Sequence, residues 1–440
     1  MKFFYLLPII IIFSGCSVKQ EHVHNSIDQQ KETVSDLLRF DQDITSYVKA
    51  LSKERYISSL EKYEKEYFSV WEKDKITISL DDAMWAYKVF DVKNSYGENL
   101  QLLQKSFFQN IYLRSNFEKF ATLNKRAITL KRVNIRAFPT EKPLFMDPQK
   151  AGEGFPFDYL QNSSIAANKP VLVSHYSKER EWVFIQSSFA YGWVKADDIV
   201  FIPKKYTELY KRSQKEIIIK EGVAIYNEKG NFLFRSRIGM MFPEIAEDKD
   251  TYKVLTISDY KINQPYYCRS KLSKDIAHHG ILEFNKKNII TIFREVSNVK
   301  YGWGGMYGQR DCSSILRDFF APFGVWLPRN SYKQSKVGRI ISLKELNNKE
   351  KLDIIKEKGV PFETLLYKRG HILLYVGMKD DTVIVFHNVW GIKTKEDNKE
   401  GRYILGKPVF STLEIGSNLR SYDQNASILS QLQSMNIITQ

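Results

Sequence analysis

Cysteine is scarce in this sequence, which has three in 440 residues, namely Cys16, Cys268 and Cys312. So few cysteines exclude the disulfide framework that supports many small exported domains. Closely spaced metal-ligand pairs of the Cys-x-x-Cys or His-x-x-x-His kind are also missing, which argues against a zinc site. Near the start, the apolar run 3–13 has eleven residues, too few to cross a bilayer comfortably.

The composition is that of a folded, multidomain protein. Apolar residues make up 43% and aromatic residues 14%, well above what a disordered chain carries. The chain is longer than a single hydrophobic core usually organises, so roughly two to four domains are expected. The formal net charge of +15 suits a protein that works beside anionic envelope polymers or lipid head groups. Nucleic acid is the competing partner for such a charge, and the export signal described next argues against it.

The first sixteen residues combine a lysine, the apolar run and small residues that lead into Cys16. This arrangement resembles the processing site of bacterial lipoproteins, which implies that residues 1–15 are a signal peptide and that Cys16 is lipid-modified. Phe13 replaces the usual aliphatic residue, so an uncleaved anchor and a plain signal peptide remain alternatives. We expect a lipid-anchored envelope protein on the periplasmic side, with Ser17 compatible with outer-membrane sorting in a diderm bacterium.

The segment 16–127 is predicted to be a helical N-terminal domain. Its subsegments 34–58 and 100–123 carry apolar residues at spacings of three and four. We interpret it as a domain or spacer that holds the rest of the chain away from the membrane. A coiled-coil partner helix is the alternative, and the irregular apolar spacing disfavours it.

Short runs of β-branched and aromatic residues, separated by turn residues, then predict two small β-domains. The first, 128–203, contains a tryptophan-bearing strand and the turn Gly192-Trp193-Val194, and looks like a bacterial SH3-like barrel. The second, 204–272, is predicted as a further copy of that barrel. Cys268 lies in this second unit with no motif around it, and we expect it to be a small buried or incidental residue.

Glycines precede Cys312, and an apolar helical pattern follows it. Glycine permits a tight, irregular approach to Asp311, and the later spacing places Cys312 in the first turn of a helix capped by Asp311. Unpaired backbone N–H groups and the helix dipole there are expected to lower the pKa of the thiol. The glycines are Gly302, Gly304, Gly305 and Gly308, and the apolar residues are Ile315, Leu316, Phe319 and Phe320.

Two histidines lie on consecutive predicted strands of one hairpin. His371 begins the strand 371–377, and His387 lies in the strand 382–390. If paired residue numbers sum to 758, the histidines are opposite each other on one face, with 378–380 as the loop. A loop with an even number of residues and no bulge would place them on opposite faces.

Cys312, His371 and His387 together match the needs of thiol catalysis. A thiolate nucleophile needs an imidazole within reach, and that imidazole needs an orienting group. We therefore expect both rings to point at the thiol. The competing interpretation is that each histidine is simply a buried, hydrogen-bonded strand residue, and the set of three favours catalysis over it.

Several motifs occur in the order found in the NlpC-type cell-wall endopeptidases, which have a papain-like core. The similarity extends over about 284–405, and it implies an α+β fold with a papain-like catalytic domain at 273–440. Before that domain it implies the two SH3-like barrels and the helical N-terminal domain. The motifs are Tyr301-Gly302-Trp303-Gly304-Gly305, Asp311-Cys312-Ser313, Leu327-Pro328-Arg329-Asn330-Ser331 and Gly370-His371-Ile372-Leu373-Leu374-Tyr375-Val376-Gly377.

The resemblance also implies roles for individual residues. Cys312 is the nucleophile, His371 the base and His387 the orienting third residue. Tyr301 completes the oxyanion site with the backbone N–H of Cys312, although a core aromatic is an equal alternative for it. The implied substrate-binding residues are Asp311 and Ser313 beside the nucleophile, Ser331, for which a helix cap after Asn330 is the alternative, and Arg136 from the first SH3-like unit.

The implied activity is hydrolysis of the γ-D-glutamyl bond to a diamino acid in cell-wall stem peptides, often after a free N-terminal L-alanine. An SH3-like domain lying across the groove would block its upstream side and demand such a short substrate. The expected partners are stem peptides or muropeptides and the membrane reached by the lipid. We expect a monomer that needs no metal and no cofactor.

Three other functions remain open from the sequence. The first is a wall-binding lipoprotein with an inactive peptidase core, which the complete triad argues against. The second is a zinc site built from Cys312, His371, His387 and Asp311. The third is an amidase that cuts between glycan and stem with the same residues.

Overall fold

The computed structural model describes residues 32–261 and 264–439, without the side chains of 259–264. The predicted signal peptide 1–15 and Cys16 lie outside the described residues. Among the helices that are described, none is long and apolar enough to cross a membrane.

The N-terminal region contains short helices rather than long ones. The subsegment 34–58 forms one helix and two 3-10 turns, 44–46 and 48–50, because the Asp41 and Asp43 carboxylates accept backbone N–H groups that a continuous helix would use. The helices of this region are α1 (Asp36–Arg39), α2 (Leu60–Tyr67), α3 (Leu80–Ala83), α4 (Trp85–Val89) and α5 (Lys105–Ser115).

This region packs onto the domains that follow it. Tyr47 and Val48 belong to the same buried cluster as the helix that begins at Cys312. The indole of Trp71, 1% exposed, donates to the carbonyl of Ala127 at 3.1 Å in the first β-domain. The described part is therefore a domain that packs on its neighbours and not a separate arm, because its buried aromatic residues need partners from the other domains.

The first β-domain is a seven-stranded antiparallel sheet with the strand order β3-β2-β6-β5-β4-β1-β7. It begins slightly before the predicted boundary at residue 128. Its strands are β1 (Lys125–Thr129), β2 (Val133–Arg136), β3 (Gln161–Ile165), β4 (Pro170–Tyr176), β5 (Trp182–Ser187), β6 (Tyr191–Lys195) and β7 (Ile199–Phe201), and α6 (Lys204–Arg212) follows.

The second β-domain combines a five-stranded sheet, ordered β13-β12-β11-β8-β14, with the small hairpin β9-β10. Its last strand lies beyond residue 272, where we placed the boundary, because β14 pairs with β8. Cys268 is 1% exposed, as expected of a small buried residue. The strands are β8 (Lys215–Ile218), β9 (Ala224–Tyr226), β10 (Phe232–Arg235), β11 (Met241–Glu247), β12 (Thr251–Lys261), β13 (Gln264–Ser273) and β14 (Ala277–His279).

The C-terminal domain has a six-stranded antiparallel sheet ordered β15-β20-β16-β17-β18-β19. Ile372 and Leu374 of β17 face one apolar cluster with α7 and α8, while Leu373 and Tyr375 face a second cluster with α10. The helices are α7 (Lys286–Ser297), α8 (Cys312–Phe320), α9 (Ser331–Gln334), α10 (Asn348–Lys358) and α11 (Ile428–Gln431), and the strands are β15 (Arg339–Ser342), β16 (Thr364–Lys368), β17 (His371–Lys379), β18 (Thr382–Glu396), β19 (Lys399–Ser411) and β20 (Leu432–Ile437).

Candidate active site

Cys312 is the first residue of α8, where the sequence predicts it. Asp311 is the N-cap: its carboxylate accepts the Ser314 N–H at 2.8 Å, and the Asp311 N–H donates to the Ser314 hydroxyl at 2.8 Å. This reciprocal capping fixes the start of the helix. The thiol is therefore held at a defined, buried position against the start of β17.

The expectation of a lowered thiol pKa is wrong. Burial and the adjacent Asp311 carboxylate raise the pKa of Cys312 to about 12, and they outweigh the backbone N–H groups of Ile372 and Ser313, which lower it. Cys312 is 7% exposed and is not disulfide-bonded. The thiol thus rests in its protonated form, and a base has to remove its proton for attack.

The histidine hairpin forms with a different register from the one predicted. Its loop is Asp380-Asp381, an even number of residues, and the pairs nearest the loop sum to 761. Between Tyr375 and Gly377 a β-bulge adds one residue, after which pairs such as Leu374 with Phe386 sum to 760. The bulge restores the histidines to one face, diagonally offset instead of directly opposite.

A hydrogen-bonded chain starts at His371 and runs into the protein. His371 Nε2 lies 2.8 Å from His387 Nδ1, and His387 Nε2 lies 3.1 Å from the Ser411 hydroxyl. Ser411 donates its own proton to the Thr412 carbonyl at 2.8 Å, so it can only accept from His387. His387 then accepts at Nδ1, His371 donates from Nε2, and Nδ1 of His371 is left as the proton acceptor.

Both histidines are held neutral. Burial, with the His387 imidazole and the Lys368 charge nearby, keeps the pKa of His371 well below its usual value. Burial, with Lys368, lowers the pKa of His387 to about 3. The His387 ring does not point at the thiol as we expected, because its two nitrogens are hydrogen-bonded to His371 and Ser411. His387 therefore orients the His371 ring and does not contact the thiol itself.

Cys312 lies close to His371 in the folded chain, but the described structure contains no hydrogen bond between the two side chains. The backbone N–H of Ile372, the residue after His371, interacts with the Cys312 sulfur. Tyr301 also lies at this point, since it borders both the cavity that contains Cys312 and the one that contains His371. Burial, with Cys312 and the Asp311 carboxylate nearby, raises the pKa of the Tyr301 phenol, which therefore stays a proton donor.

Cys312 is one of the residues that line a groove of about 700 Å³. Helix α4 contributes Trp85 to its walls, its C-cap residue Phe90 also lines the groove, and the first β-domain contributes Tyr159 and Tyr191. These walls come from parts of the chain more than a hundred residues before Cys312. The groove is therefore shaped in part by the domains upstream of the catalytic one.

Glycine lets the first β-domain approach the catalytic segment closely. Gly304 has φ +56°, and a Cβ there would lie 2.3 Å from the carbonyl of Gln161 in β3. Gln161 Nε2 donates to the Gly304 carbonyl at 3.1 Å, and the Trp303 indole donates to Asp158 at 3.0 Å. These contacts fix the β-domain against the segment that leads to Cys312.

The residues that flank the nucleophile are tied to Arg329. Its guanidinium bonds both carboxylate oxygens of Asp311, at 3.2 and 2.6 Å, and the Ser313 hydroxyl at 3.1 Å. Burial raises the pKa of Asp311, and the Arg329 charge outweighs burial and lowers it overall. Ser331 lines the groove as the first residue of α9, while Asn330 is the cap of that helix.

Arg136 does not reach the groove, contrary to our expectation. It is 4% exposed, and its guanidinium pairs with Asp158 and bonds the carbonyls of Thr140 and Lys142. The first β-domain instead presents Glu153, whose carboxylate accepts from the Tyr159 hydroxyl at 2.7 Å. The sequence offered no motif that distinguishes Glu153 from other loop acids.

The zinc alternative finds no support in this geometry. Both ring nitrogens of His387 are engaged with His371 and Ser411, and the Asp311 carboxylate is bound by Arg329. Within the described part of the chain, the group of side chains close enough to share a metal is Glu216, Glu244 and His279, in the second β-domain.

Comparison with known families agrees with this architecture. The chain is built as a papain-like cysteine peptidase with accessory β-barrels. Its catalytic segment 298–400 matches the model of the NlpC/P60 family. The segments before it match an SH3 domain of SH3b1 type at 143–195, an SH3 domain of SH3b2 type at 217–249 and the N-terminal stabilising domain of NlpC/P60 proteins at 5–120. The predicted class and domain types are thus confirmed.

A solved structure shares the fold of the chain. An NlpC/P60 endopeptidase from Photobacterium damselae subsp. piscicida superposes with a TM-score of 0.79 at 22% identity, over 91% of this chain and 98% of that one. An NlpC/P60 family protein from Bacillus cereus ATCC 10987 gives 0.43 at 16% identity, over 63% and 82%. No curated protein matches the chain in sequence.

Proposed function

We propose that this protein is a peptidoglycan hydrolase that cleaves the γ-D-glutamyl bond to a diamino acid in stem peptides with a free N-terminal L-alanine. The observation that carries this proposal is the arrangement of the hydrogen-bonded chain from His371 through His387 to Ser411 beside the Cys312 thiol, which lines a groove. It provides a nucleophile and a base whose tautomer is fixed. The NlpC/P60 match supports a cell-wall peptide as the substrate.

The shape of the groove supports a short substrate. Trp85 of helix α4, its C-cap residue Phe90 and Tyr191 of the first SH3 domain form part of the walls of the groove. A long peptide or an intact glycan-linked stem would have to pass through these walls. A free amino terminus needs no such passage, and the Glu153 and Asp311 carboxylates lie in the same groove to receive it, beside Arg329, which pairs with Asp311, and Lys333.

The proposed reaction begins with proton transfer from the Cys312 thiol to Nδ1 of His371. The sulfur attacks the γ-carbonyl carbon of the glutamyl residue, and the Tyr301 hydroxyl with the Cys312 backbone N–H stabilises the oxyanion. The C–N bond then breaks, and the leaving amine takes the proton from His371. Water, deprotonated by His371, hydrolyses the thioester and restores the thiol.

The test is digestion of L-alanyl-γ-D-glutamyl-diamino acid tripeptides and of glycan-linked muropeptides, with products identified by mass spectrometry. We expect the wild type to release the dipeptide from the free tripeptide, and the Cys312→Ala variant to release nothing. Identical product profiles for the two proteins would refute the enzymatic proposal. Release of intact stems from glycan would indicate the amidase instead.

A second proposal concerns the membrane. We propose that Cys16 carries a lipid that holds the protein in the cell envelope, since the residues before it resemble a lipoprotein processing site. Detergent phase partitioning of the wild type and of Cys16→Ala tests this. The wild type should enter the detergent phase and the variant the aqueous phase, whereas equal partitioning would refute lipid attachment.

A further inference from the structure

Three side chains of metal-ligating type meet on one face of the sheet in the second β-domain. They are Glu216, Glu244 and His279, and we call them the Glu-Glu-His cluster. In the sheet, Glu216 of β8 pairs with His279 of β14 on one side and with Phe242 of β11 on the other. Paired residues share a face, and so do residues two apart on a strand, such as Phe242 and Glu244. The order β11-β8-β14 therefore brings the three side chains together.

The donor atoms of the cluster have nearly the spacing of ligands around one ion. His279 Nδ1 lies 2.8 Å from Oε1 of Glu216 and 3.3 Å from Oε2 of Glu244. One ligand atom from each of the three side chains lies within 4.8 Å of the other two. Zinc holds nitrogen and oxygen ligands at about 2.0–2.2 Å, so two ligand atoms in a tetrahedron are about 3.3–3.6 Å apart. Small movements of the side chains are therefore enough to place all three around an ion.

The carboxylate of Glu216 is buried with one oxygen unpartnered. Glu216 is 0% exposed, and its Oε2 has no hydrogen-bond partner among the described residues. Its Oε1 contacts His279, so Oε2, which is attached to the same carbon, also lies at the cluster. An ionised carboxylate is costly to bury unless its oxygens are bound by cations or hydrogen-bond donors. The free oxygen thus indicates a ligand that the side chains themselves do not supply.

The charges of the cluster point to the same kind of ligand. In the described part of the chain, neither Glu216 nor Glu244 forms an ion pair with a lysine or an arginine, and both face His279. A protonated His279 brings one positive charge to two negative ones. A divalent cation balances both carboxylates and leaves the imidazole neutral, which is the form that binds a metal.

We infer that the Glu-Glu-His cluster binds one divalent transition-metal ion, of the class that zinc represents, through His279 Nδ1 and an oxygen of each glutamate. The imidazole favours this class over calcium and magnesium, which prefer oxygen ligands. His279 is half-exposed, so water can complete the coordination. The inference does not depend on the proposed peptidase function, because the cluster lines neither the cavity that contains Cys312 nor the one that contains His371.

An ion in this position holds a short edge strand to the sheet. Strand β14 has three residues and lies at the end of the strand order, beside β8. Gly280, which follows His279, donates its N–H to the Lys215 carbonyl at 2.8 Å, and α7 of the catalytic domain begins a few residues later. The ion therefore acts where the chain leaves the second SH3 domain, and we expect it to stabilise that exit.

The test is zinc binding to metal-stripped, tag-free full-length protein that carries Cys312→Ala, which removes the catalytic thiol as a competing ligand. Competition with a chromophoric chelator measures the stoichiometry and the Kd. We expect one zinc per chain, and a Kd at least about 100-fold higher after His279→Gln is added. His278→Gln is the matched control, because His278 is the neighbouring residue on the opposite face of β14. Equal Kd values for the two histidine variants, or no binding by the parent protein, would overturn the inference.

Hydrogen exchange gives a second readout that needs no variant of the cluster. In the same Cys312→Ala protein, one equivalent of zinc should slow amide exchange in β8 and β14, because the ion links these strands. Slower exchange elsewhere, with β8 and β14 unchanged, would place the ion at another site and overturn the assignment.

Cobalt substitution identifies the type of ligand. One equivalent of Co²⁺ should give visible absorption bands without the thiolate-to-cobalt charge-transfer band that a cysteine ligand produces, because the cluster offers nitrogen and oxygen. A charge-transfer band would show that a remaining cysteine holds the metal, and it would overturn the inference. These measurements use no peptide substrate, so their outcome is separate from that of the digestion experiment.

Discussion

His371 Nε2 lies 2.8 Å from His387 Nδ1, and this contact depends on the one-residue bulge between Tyr375 and Gly377. Without the extra residue, the numbers of paired residues would sum to 761 along the whole hairpin, as they do next to the two-residue loop. The two histidine rings would then lie on opposite faces of the sheet. The alignment of the two histidines therefore requires the bulge in β17 as well as the histidines themselves.

Ser411 fixes the tautomer of both histidines, so its loss should lower kcat. In Ser411→Ala, His387 Nε2 loses its acceptor, and His387 can adopt the tautomer that no longer accepts from His371. We expect kcat for the stem tripeptide to fall about 10- to 100-fold, with KM little changed. Ser411→Thr keeps the hydroxyl and should retain most of the activity, and wild-type kcat in Ser411→Ala would contradict this assignment.

The buried histidines should make folding sensitive to acid. Burial lowers the pKa of His175 to about 4 and that of His387 to about 3, from about 6.5 in the unfolded chain. Below pH 6.5 the unfolded state binds more protons, so stability falls as pH decreases towards these folded values. Each histidine should account for roughly 2 kcal/mol of the loss between pH 7 and pH 5.

Urea unfolding at the two pH values measures this loss. His175→Gln removes one titrating group far from the catalytic cysteine, in the first SH3 domain. The variant should lose less unfolding free energy than the wild type between pH 7 and pH 5. If the two proteins lose the same amount, His175 does not titrate as its burial implies.

Local patterns were sufficient to predict much of the fold and part of the site. The glycines before Asp311 and the apolar spacing after Cys312 indicate the start of α8 correctly, because capping and amphipathic spacing act within a few residues. The motif Gly192-Trp193-Val194 likewise marks an SH3 domain correctly, although it lies inside strand β6 and is not the predicted turn. Such features depend on neighbours in sequence, so a single sequence contains them.

Features that depend on distant partners could not be predicted. The bulge residue Val376 is one of several apolar residues in β17, and nothing in the sequence distinguishes it. Ser411 bonds a residue 24 positions away, and Arg136 is buried because Asp158 lies opposite it in the folded domain. The thiol pKa also depends on burial that only tertiary packing creates.

Gly304 should be required for docking of the first SH3 domain. In Gly304→Ala, the new Cβ would meet the Gln161 carbonyl at 2.3 Å, so β3 has to move away from the groove. Gly230 is a matched control, since its φ of +78° is also left-handed and nothing lies within 4 Å of its Cβ position. Gly230→Ala should cost about 1 kcal/mol from backbone strain alone.

Gly304→Ala should cost more than this and raise KM for the tripeptide, because Gln161 and its neighbours form part of the groove wall. Urea unfolding and steady-state kinetics on both variants provide the comparison. Equal unfolding free energies and an unchanged KM would show that the close approach of β3 has no role in shaping the groove.

Asp318 should be the most sensitive ion-pair residue between the second SH3 domain and the catalytic domain. Its carboxylate pairs with Arg310 and with Arg237, each at 2.9 Å. Burial raises the pKa of Asp318, and the charges of Arg237 and Arg310 outweigh it and hold the pKa below its usual value. Arg310, 0% exposed, would lose a charged partner in Asp318→Asn and keep only Glu221.

We therefore expect Asp318→Asn to lower the unfolding free energy by roughly 3–5 kcal/mol, as when one partner of a buried pair is removed. Asp81→Asn is the matched control, because Asp81 pairs with Lys88 at an exposed site and its loss should change stability by less than about 1 kcal/mol. Urea unfolding at pH 7 separates the two. Similar losses in both variants would mean that the buried network contributes no more than a surface pair, and that packing alone holds the two domains together.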